Sequence, residues 1–492
     1  MFSTLFELLF TTPIVPAAFG GVAWGILGGA LPGISPSITM ALLLPFTYGM
    51  DPTPALVMLA STYVGAEYGG SIPAILIRTP GTNAAAATVV DGYAMKLQGK
   101  AGEALGISLY SGFIGGLFGL IVLVLLTERL SSVALAFTPA AYAALGVLGL
   151  SIIASLSRES LVKGLMAGVL GLMISTIGTD PVTGLNRFTF DSPELLSGIP
   201  PILVMVGLYA ISELFVQSGE PGWEHVPREK ARIKFPNPAM WKRLAIPQLI
   251  GSVIGTIEGV MPGGGGTVSS FLAYNEARRW SKHKEEFGHG SPEGVAAPEA
   301  ANNTVACTAL IPMLSLGIPS SNSSAVLLGG FLIHGLVPGP LLFVQHSEVI
   351  NGLYTGLFTA NVAMVIVGYL MMTPCLWLVS RPKPFLMAFI YALVASGVYA
   401  IENSLFHVGV ALGFGVLGYA MRYFKMPFLP MVLGVVLGFM VESNYRRALV
   451  LSGGDRMTFL QDRISAGLLI VAVIFLTGSL VRHAMDHRHA RS

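Results

Sequence analysis

Four short segments of the chain combine glycine, proline and small polar residues, and each interrupts an apolar stretch. Backbone N–H groups at the start of a half-helix carry partial positive charge and suit an anion. Free carbonyls and hydroxyls suit a small cation such as sodium. The candidate binding residues are Pro32, Gly33, Ser35, Ser37, Thr39, Thr79, Gly81, Thr82, Asn83, Gly263, Gly264, Gly265, Gly266, Thr267, Ser269, Pro319, Ser320, Ser321, Asn322 and Ser323.

A structural interpretation of the same four segments competes with the binding interpretation. Glycine allows helices to pack closely, and serine can satisfy the backbone groups that a broken helix leaves free. Unwound backbone at membrane depth survives only where it is buried in protein or lines a wet cavity. Because the four segments form two matching pairs, we favour a site for an anionic solute with coupled cations, sodium among them, at the hairpin tips.

Two carboxylates in apolar stretches, Glu67 and Glu258, are further candidates. Charges at membrane depth are costly and commonly functional, so either could bind a coupling cation or relay a proton. The alternative is that each lies near an interface or pairs with a helix end. Asn302 and Asn303, with Glu299, follow a basic loop and either line an inner vestibule or cap a helix.

The elements that must position these residues are membrane helices. Of the 492 residues, 53% are hydrophobic and 11% are charged, whereas about 25% are charged in ordinary soluble domains. One membrane span takes about 20 apolar residues, so the hydrophobic residues of this chain are enough for about ten to thirteen spans. The composition predicts an all-α polytopic membrane protein and excludes a soluble multidomain enzyme, a nucleic-acid binder and a disordered scaffold.

No motif for catalysis or for a bound cofactor is visible in the sequence. The pattern Gly-x-x-x-x-Gly-Lys-Ser/Thr is missing, so the chain does not encode ATP hydrolysis. Nucleophile-elbow and zinc-ligand spacings are missing as well. We therefore expect neither an enzyme nor a cofactor.

Positive charge identifies the cytoplasmic loops, because Lys and Arg are enriched there. Residues 218–243 and 278–294 carry most of the basic residues of the middle of the chain. The apolar stretch between them, 244–278, leaves and returns to the same side, so we interpret it as a re-entrant hairpin. Residues 14–48 have a similar glycine-rich centre but no flanking positive charge, which predicts a hairpin that enters from the outside.

An internal repeat relates the two halves. Three blocks match in the same order at growing offsets of 230, 239 and 247 residues. The blocks are Gly25, Gly29, Pro32 and Gly33 with Gly255, Gly259, Pro262 and Gly263; Ile72, Pro73, Pro80 and Asn83 with Ile311, Pro312, Pro319 and Asn322; and 168–171 with 415–418. The basic loop 157–163 precedes the first helix of the third block, whereas 422–425 follows the second. Two cytoplasmic loops in these positions predict repeats of inverted topology.

The repeat predicts the domain organisation. The first repeat covers 1–217, with hairpin 14–48, a broken-helix region 53–91 and scaffold helices 103–217. A basic cytoplasmic linker, 218–243, follows. The second repeat covers 244–442, with hairpin 244–278, cytoplasmic loop 278–294, a broken-helix region 296–345 and scaffold helices 349–442. Residues 443–492 form an extra helix and a cytoplasmic tail. We expect an elevator-type secondary transporter, in which 14–91 and 244–345 move against the rest.

The motifs resemble those of the large membrane subunit of the tripartite tricarboxylate transporters, over nearly the whole chain. The matching strings are Gly69–Ile72, Thr79–Thr82, Asp91–Met95, Gly178–Pro181, Arg187–Phe190, Gly255–Thr267, Ala297–Asn303 and Leu316–Pro319. Glu67 departs from the pattern, which is uncharged there. The resemblance implies a bacterial inner-membrane carrier of carboxylates such as citrate, driven by sodium or by protons. It also implies a small membrane subunit and a periplasmic solute-binding protein as partners, while the scaffold could contact a second copy in a homodimer.

Two alternatives stay open at this point. A cation channel or a cation/proton antiporter would use Glu67 and Glu258 and would need no binding protein. A membrane scaffold without a transport role would need no paired breaks. The sequence identifies neither the carboxylate nor the coupling ion.

Overall fold

A computed structural model describes residues 13–134, 136–155, 161–180, 183–219, 232–261, 265–379 and 381–489. In that part of the chain the protein is nearly all α-helical, which confirms the all-α part of the predicted fold class. The helices of its first half are α1 Ile14–Ala30, α2 Pro36–Leu43, α3 Pro52–Gly69, α4 Ser71–Ile77, α5 Ala86–Leu97, α6 Ala101–Ala134, α7 Pro139–Ser155, α8 Leu161–Ser175, α9 Pro201–Met205 and α10 Ser212–Gly219. A π-helical turn, Val206–Ile211, joins the last two, and the strands β1 Gly178–Thr179 and β2 Asn186–Arg187 pair antiparallel.

The second half continues the helical pattern. Its helices are α11 Pro238–Val260, α12 Gly265–Trp280, α13 Pro292–Thr308, α14 Leu310–Leu316, α15 Asn322–Ile333, α16 Pro340–Gln345, α17 Ser347–Leu370, α18 Met372–Val379, α19 Lys383–Glu402, α20 Leu405–Tyr423, α21 Phe428–Leu451, α22 Thr458–Gln461 and α23 Arg463–His489. Short 3₁₀ turns lie at Leu44–Thr47, Pro193–Leu195 and Lys284–Glu286.

Six helices of the described chain are long and apolar enough to cross a membrane. They are Ala101–Leu130, Pro201–Gly219, Ser347–Leu370, Lys383–Ile401, Leu405–Tyr423 and Phe428–Leu451. Another six apolar helices are shorter, at 10–17 residues. The protein is therefore a multi-pass membrane protein. The apolar composition overestimates the number of long membrane-spanning helices, because breaks divide several apolar stretches into short helices.

The helices form two compact units, one of residues 1–130 with 213–401 and the other of residues 131–212 with 402–492. This division differs from the predicted transport unit and scaffold, because α6 and α17 pack with the hairpins in the first unit. On α6, Ser111 accepts a hydrogen bond from Gln248 of α11 at 3.0 Å. The Thr304 hydroxyl of α13 donates to the Gly115 carbonyl at 2.8 Å. The sequence did not predict these buried hydrogen bonds, because the helices that contain them are mostly apolar.

Both predicted hairpins are helix–break–helix elements. The first consists of α1 and α2, and its break covers residues 31–35. The second consists of α11 and α12, and α11 already begins at Pro238 because the Asn237 side chain caps it. Hence the helix starts inside the predicted linker 218–243. Residues 220–231 of that linker, 157–160 of the basic loop 157–163, and Pro262, Gly263 and Gly264 of the second tip lie outside the described residues.

The contacts of the two hairpins repeat along the chain. In each pair, a Cβ built on a hairpin glycine would lie 2.2–2.4 Å from a carbonyl oxygen of the helix that follows. The pairs are Gly21 with Met58, Gly25 with Thr62, Gly251 with Ala297, and Gly255 with Ala301. The glycines differ by 230 residues and their partners by 239, which are the offsets of the sequence repeat.

The next elements also correspond at an offset of 239. Helices α4 and α14 both have seven residues, and each ends on a residue in the left-handed region, Arg78 at φ 59° and Gly317 at φ 74°. The following N–H donates to the carbonyl of Pro73 in the first case and of Pro312 in the second. The backbone of the second breaks is therefore alike in both halves.

In the second unit, α21 runs to Leu451, beyond the predicted end at 442. Arg446 and Arg447 therefore lie on the last turns of this helix. Arg446 donates to both carboxylate oxygens of Asp180, at 3.0 and 3.1 Å, and pairs with Glu442 one turn earlier. These two carboxylates compensate the charge of Arg446 within the second unit.

Candidate functional site

The two breaks of each half pack against each other in the first unit. A Cβ on Gly81 would lie 1.9 Å from the Gly29 carbonyl oxygen, so only glycine fits there. In the second half the Ser320 hydroxyl donates to the Gly259 carbonyl at 2.7 Å. Gly81 and Ser320 correspond at an offset of 239, and Gly29 and Gly259 at 230. Each break is thus anchored on the last turn of its own hairpin's first helix.

The two halves meet where α12 begins. A Cβ on Gly266 would lie 2.5 Å from the Asn302 side-chain oxygen and 3.2 Å from the Ala84 side chain. Ala84 lies in the first half's second break, whereas Asn302 lies in the middle of α13. Gly266 of the second hairpin tip therefore contacts residues of both halves, Ala84 in the first and Asn302 in the second.

Asn302 and Glu67 provide unused polar atoms at this point. Glu67 on α3 is 5% exposed and Asn302 is 1% exposed, and the two side chains are neighbours. Among the described residues, neither Oε2 of Glu67 nor either side-chain amide atom of Asn302 has a hydrogen-bond partner. A buried polar atom without a partner is destabilising by about 1–3 kcal/mol, so these atoms are suited to a ligand. A carboxylate and an amide oxygen together fit a sodium ion.

The aromatic residue Tyr63 extends the site toward the break after α14. Its side chain is buried, and its phenol lies beside the hydroxyls of Ser321 and Ser323 and close to Glu67. Tyr63 and Glu67 are four residues apart and therefore share one face of α3. The arrangement places phenol, hydroxyl, carboxylate and amide groups around the second pair of breaks.

Glu299 has a different environment from Glu67. Its side chain is 1% exposed and accepts hydrogen bonds from three hydroxyls, Ser71 at 2.6 Å, Ser108 at 2.9 Å and Thr88. These donors lie on α4, α6 and α5. The helix-cap alternative for Glu299, Asn302 and Asn303 is wrong, because all three lie inside α13 and Ser291 caps that helix. Asn303 donates to the Glu299 carbonyl at 3.0 Å.

Several predicted hydroxyls act on the local backbone. Ser35 caps α2 by accepting from the Ile38 N–H, and Ser321 and Ser324 form a capping box on α15. Thr82 accepts from the Ala85 N–H at 3.3 Å. The structural interpretation therefore applies to part of each break. Further hydroxyl contacts join Ser37 to Ser35, Thr39 to the Ser35 carbonyl, and Ser269 to the Gly266 carbonyl.

The other predicted residues are spread around this centre. Thr79, Asn83 and Asn322 are exposed, Thr267 and Glu258 are partly buried, and Pro32 and Pro319 are buried. Gly265 has a positive φ of 69° at the start of α12. Gly33, with φ 83°, lies against the Gln217 side chain, whose amide donates to Glu213 at 2.8 Å. The structure groups Glu67, Gly266, Asn302, Ser321 and Ser323, and it does not group the whole predicted set.

Sequence reasoning missed several polar residues near the breaks. They are Tyr63, Ser71, Thr88, Ser108, Glu213 and Gln217. Glu213 and Gln217 had a signal, since a carboxylate and an amide four residues apart interrupt an otherwise apolar segment. The hydroxyl partners of Glu299 had none, because they lie 191–228 residues from it in the sequence.

This architecture defines a class of protein. It is a multi-pass helical membrane protein with a buried polar centre between broken helices. The model of the tripartite tricarboxylate transporter TctA family matches residues 15–433. The chain belongs to this family, which is a family of transporters.

Two proteins of Agrobacterium vitis are similar. An uncharacterized 52.8 kDa protein in the TAR-I ttuC′ 3′ region is 38% identical over 470 residues, which is 95% of this chain and 93% of the relative. An uncharacterized protein in the TAR-II ttuC′ 3′ region is 36% identical over 237 residues, 47% of this chain and 97% of the relative. No solved structure matches the chain.

Proposed function

We propose that this protein is the large transmembrane subunit of an ion-gradient-driven importer of carboxylates in the bacterial inner membrane. In this proposal a periplasmic binding protein delivers the carboxylate, and a small membrane subunit completes the transporter. Family membership supports the transport role and the tripartite assembly. Di- and tricarboxylates such as citrate are the proposed solutes, and we do not expect an enzymatic activity.

The observation that carries the proposed site is the pair of buried side chains Glu67 and Asn302. Their unpaired atoms lie where the Gly266 tip meets the break at Ala84. We propose that Glu67 and Asn302 hold the coupling cation, with sodium ahead of a proton because a carboxylate oxygen and an amide oxygen together provide two ligands for a small hard cation. The solute would bind beside this cation, near Ser321 and Ser323.

The matched contacts in the two halves support a repeat, and the basic loops support its inverted orientation. An elevator-type movement remains part of the proposal. Separating broken helices from one another would expose unpaired backbone groups to lipid at several kcal/mol each. The packing of α6 and α17 against α3, α11 and α13 supports including them in the moving body, in addition to 14–91 and 244–345.

Uptake of labelled citrate and related carboxylates tests the proposal. The experiment compares cells with and without a sodium gradient, and with each partner deleted. Asn302→Ala should lower the apparent sodium affinity about 10- to 150-fold, since a bond to a charged partner contributes about 1.5–3 kcal/mol. Glu67→Gln should weaken sodium dependence similarly while expression persists.

Asn361→Ala is the matched control. Asn361 is also a buried asparagine whose Oδ1 has no hydrogen-bond partner among the described residues. Its Nδ2 donates to the Leu357 carbonyl of its own helix, and its side chain lies against Gly116 and not beside Gly266. Its sodium dependence should match the wild type. Uptake that depends on a proton gradient and not on sodium would assign the coupling to protons. Ion flux without a binding protein would favour the channel or antiporter alternative at Glu67. Unchanged sodium dependence in both site variants would remove these residues from the proposed site.

A further inference from the structure

The base of the second hairpin contains a cavity that the proposed transport site does not use. Its volume is about 380 Å³, and it lies between the first turns of α11 and the last turns of α12. Basic side chains, including Lys242, Arg243 and Lys282, line it together with Trp280. The volume lies within the range of about 300–1,000 Å³ that is usual for small-molecule sites.

The charges of this cavity are only partly compensated by the protein. Arg243 donates to Glu293 at 2.8 Å and also pairs with Glu286. Burial alone would raise the pKa of Glu293, but hydrogen bonds from Ser281, Arg243 and His283 outweigh it and hold the pKa below its usual range. Glu293 is therefore ionised at neutral pH and neutralises Arg243.

Lys242 and Lys282 are the uncompensated charges. Both are exposed, and within the described part of the chain neither forms an ion pair. They line the same cavity from α11 and from the residues just after α12. Two ammonium groups on opposite sides of one cavity are suited to a phosphate group.

An apolar face continues from the cavity along α11. Ile246 lines the cavity and is 65% exposed, and Leu249, Val253 and Ile257 are 55%, 45% and 55% exposed. Their spacing of three or four residues puts them on one side of the helix. A ligand with a charged head and apolar tails would bind the cavity and the face together.

We propose that this cavity binds the headgroup of an anionic phospholipid, with the lysines on the phosphate and the acyl chains along α11. Basic pockets between membrane helices on the cytoplasmic side bind such headgroups. The cavity adjoins an exposed apolar helix face, so a phospholipid would place its headgroup and its acyl chains on continuous protein surface, whereas a soluble phosphate would use the cavity alone; we commit to the lipid. The site would couple the second hairpin to the composition of the surrounding membrane.

Quenching of Trp280 fluorescence by brominated lipids tests this proposal, because Trp280 lines the cavity. The full chain is reconstituted into phosphatidylcholine vesicles that contain a small, equal fraction of brominated phosphatidylglycerol or brominated phosphatidylcholine. The signal of Trp280 is the difference between the protein and its Trp280→Phe variant. Brominated phosphatidylglycerol should quench this signal more strongly than brominated phosphatidylcholine does.

Lys242→Gln with Lys282→Gln should abolish the excess quenching. At about 1 kcal/mol for each basic residue, affinity should fall about 30-fold. The matched control is Arg278→Gln with Arg279→Gln, which removes two exposed charges one turn earlier that do not line the cavity. This control should keep the excess, and inorganic phosphate at constant ionic strength should not reduce it.

Three results would overturn the proposal. Equal quenching by the two brominated lipids would mean that the cavity does not select an anionic headgroup. If both double variants lost the excess quenching by brominated phosphatidylglycerol equally, the excess would be due to general surface charge. Displacement by inorganic phosphate would assign the lysines to a soluble anion. The loss of sodium-driven uptake in the Glu67 variant bears on none of these three results. The lipid proposal and the transport-site proposal can therefore fail separately.

Discussion

Removing the Ser108 hydroxyl should destabilise the protein because it is one of three donors to a buried carboxylate. Glu299 is 1% exposed and accepts from Ser71, Thr88 and Ser108, which lie on three different helices. A buried polar group that loses its hydrogen-bond partner costs about 1–3 kcal/mol. Ser108→Ala should therefore lower the free energy of unfolding by about 1–3 kcal/mol. Glu299→Ala leaves three buried donors without their acceptor, about 3–9 kcal/mol, which approaches the total stability of many domains.

Thermal unfolding in detergent, followed by tryptophan fluorescence, measures the effect. Ser396→Ala is the matched control, since Ser396 is exposed and its hydroxyl donates only to carbonyls of its own helix. A double-mutant cycle gives the sharper test. Ser108→Ala should cost less in a Glu299→Gln background, because the substituted amide keeps only one acceptor oxygen for the three hydroxyl donors.

The outcome that would refute the reasoning is specific. Suppose that Ser108→Ala and Glu299→Gln both have the melting temperature of the wild type, while Glu299→Gln loses citrate uptake. Glu299 would then be a transport group and not a structural link between helices. Should Glu299→Gln fail to accumulate, Ser108→Ala alone still tests the stability argument, because two of the three donors remain.

Three further predictions concern the orientation of the chain, the moving body and the ion cluster of the second unit. Cysteines introduced within 157–163 and 422–425 should both react with a reagent confined to the cytoplasm, and labelling on opposite sides would contradict the inverted repeat. Crosslinks that fix 14–91 and 244–345 to helices other than α6 and α17 should block uptake but leave solute binding intact. Arg446→Gln should lower stability by about 1–3 kcal/mol because Asp180 is buried and loses two hydrogen bonds, whereas the exposed neighbour Arg447, changed to Gln, should have almost no effect; equal melting temperatures for the two variants would show that the cluster contributes little.

Local patterns in the sequence were sufficient for the helical fold class, the two hairpins and the positions of the breaks. Glycine and proline determine where a membrane helix can be interrupted, and these preferences act over a few residues. The repeat offsets of 230 and 239 residues were also readable directly, and the same offsets relate the backbone contacts. The resemblance in the breaks and in Ala297–Asn303 correctly indicated the family.

Side-chain roles at the breaks depended on tertiary contacts. Ser35 looks like a ligand in the sequence, but it caps the helix that it precedes. Glu67 and Glu299 look alike as buried carboxylates. Three hydroxyls from distant helices satisfy Glu299, whereas one oxygen of Glu67 has no partner in the described chain.

The physical reason is the range of the interactions. Helix breaks and capping preferences are set by neighbours in the chain, whereas the hydrogen-bond partner of a buried carboxylate is whichever helix packs against it. Ser108 is 191 residues from Glu299, and Arg446 is 266 residues from Asp180. The sequence by itself therefore determined where the chain is interrupted and to which family it belongs. Only the tertiary structure decided which polar groups at those interruptions have a hydrogen-bond partner and which, among the described residues, have none.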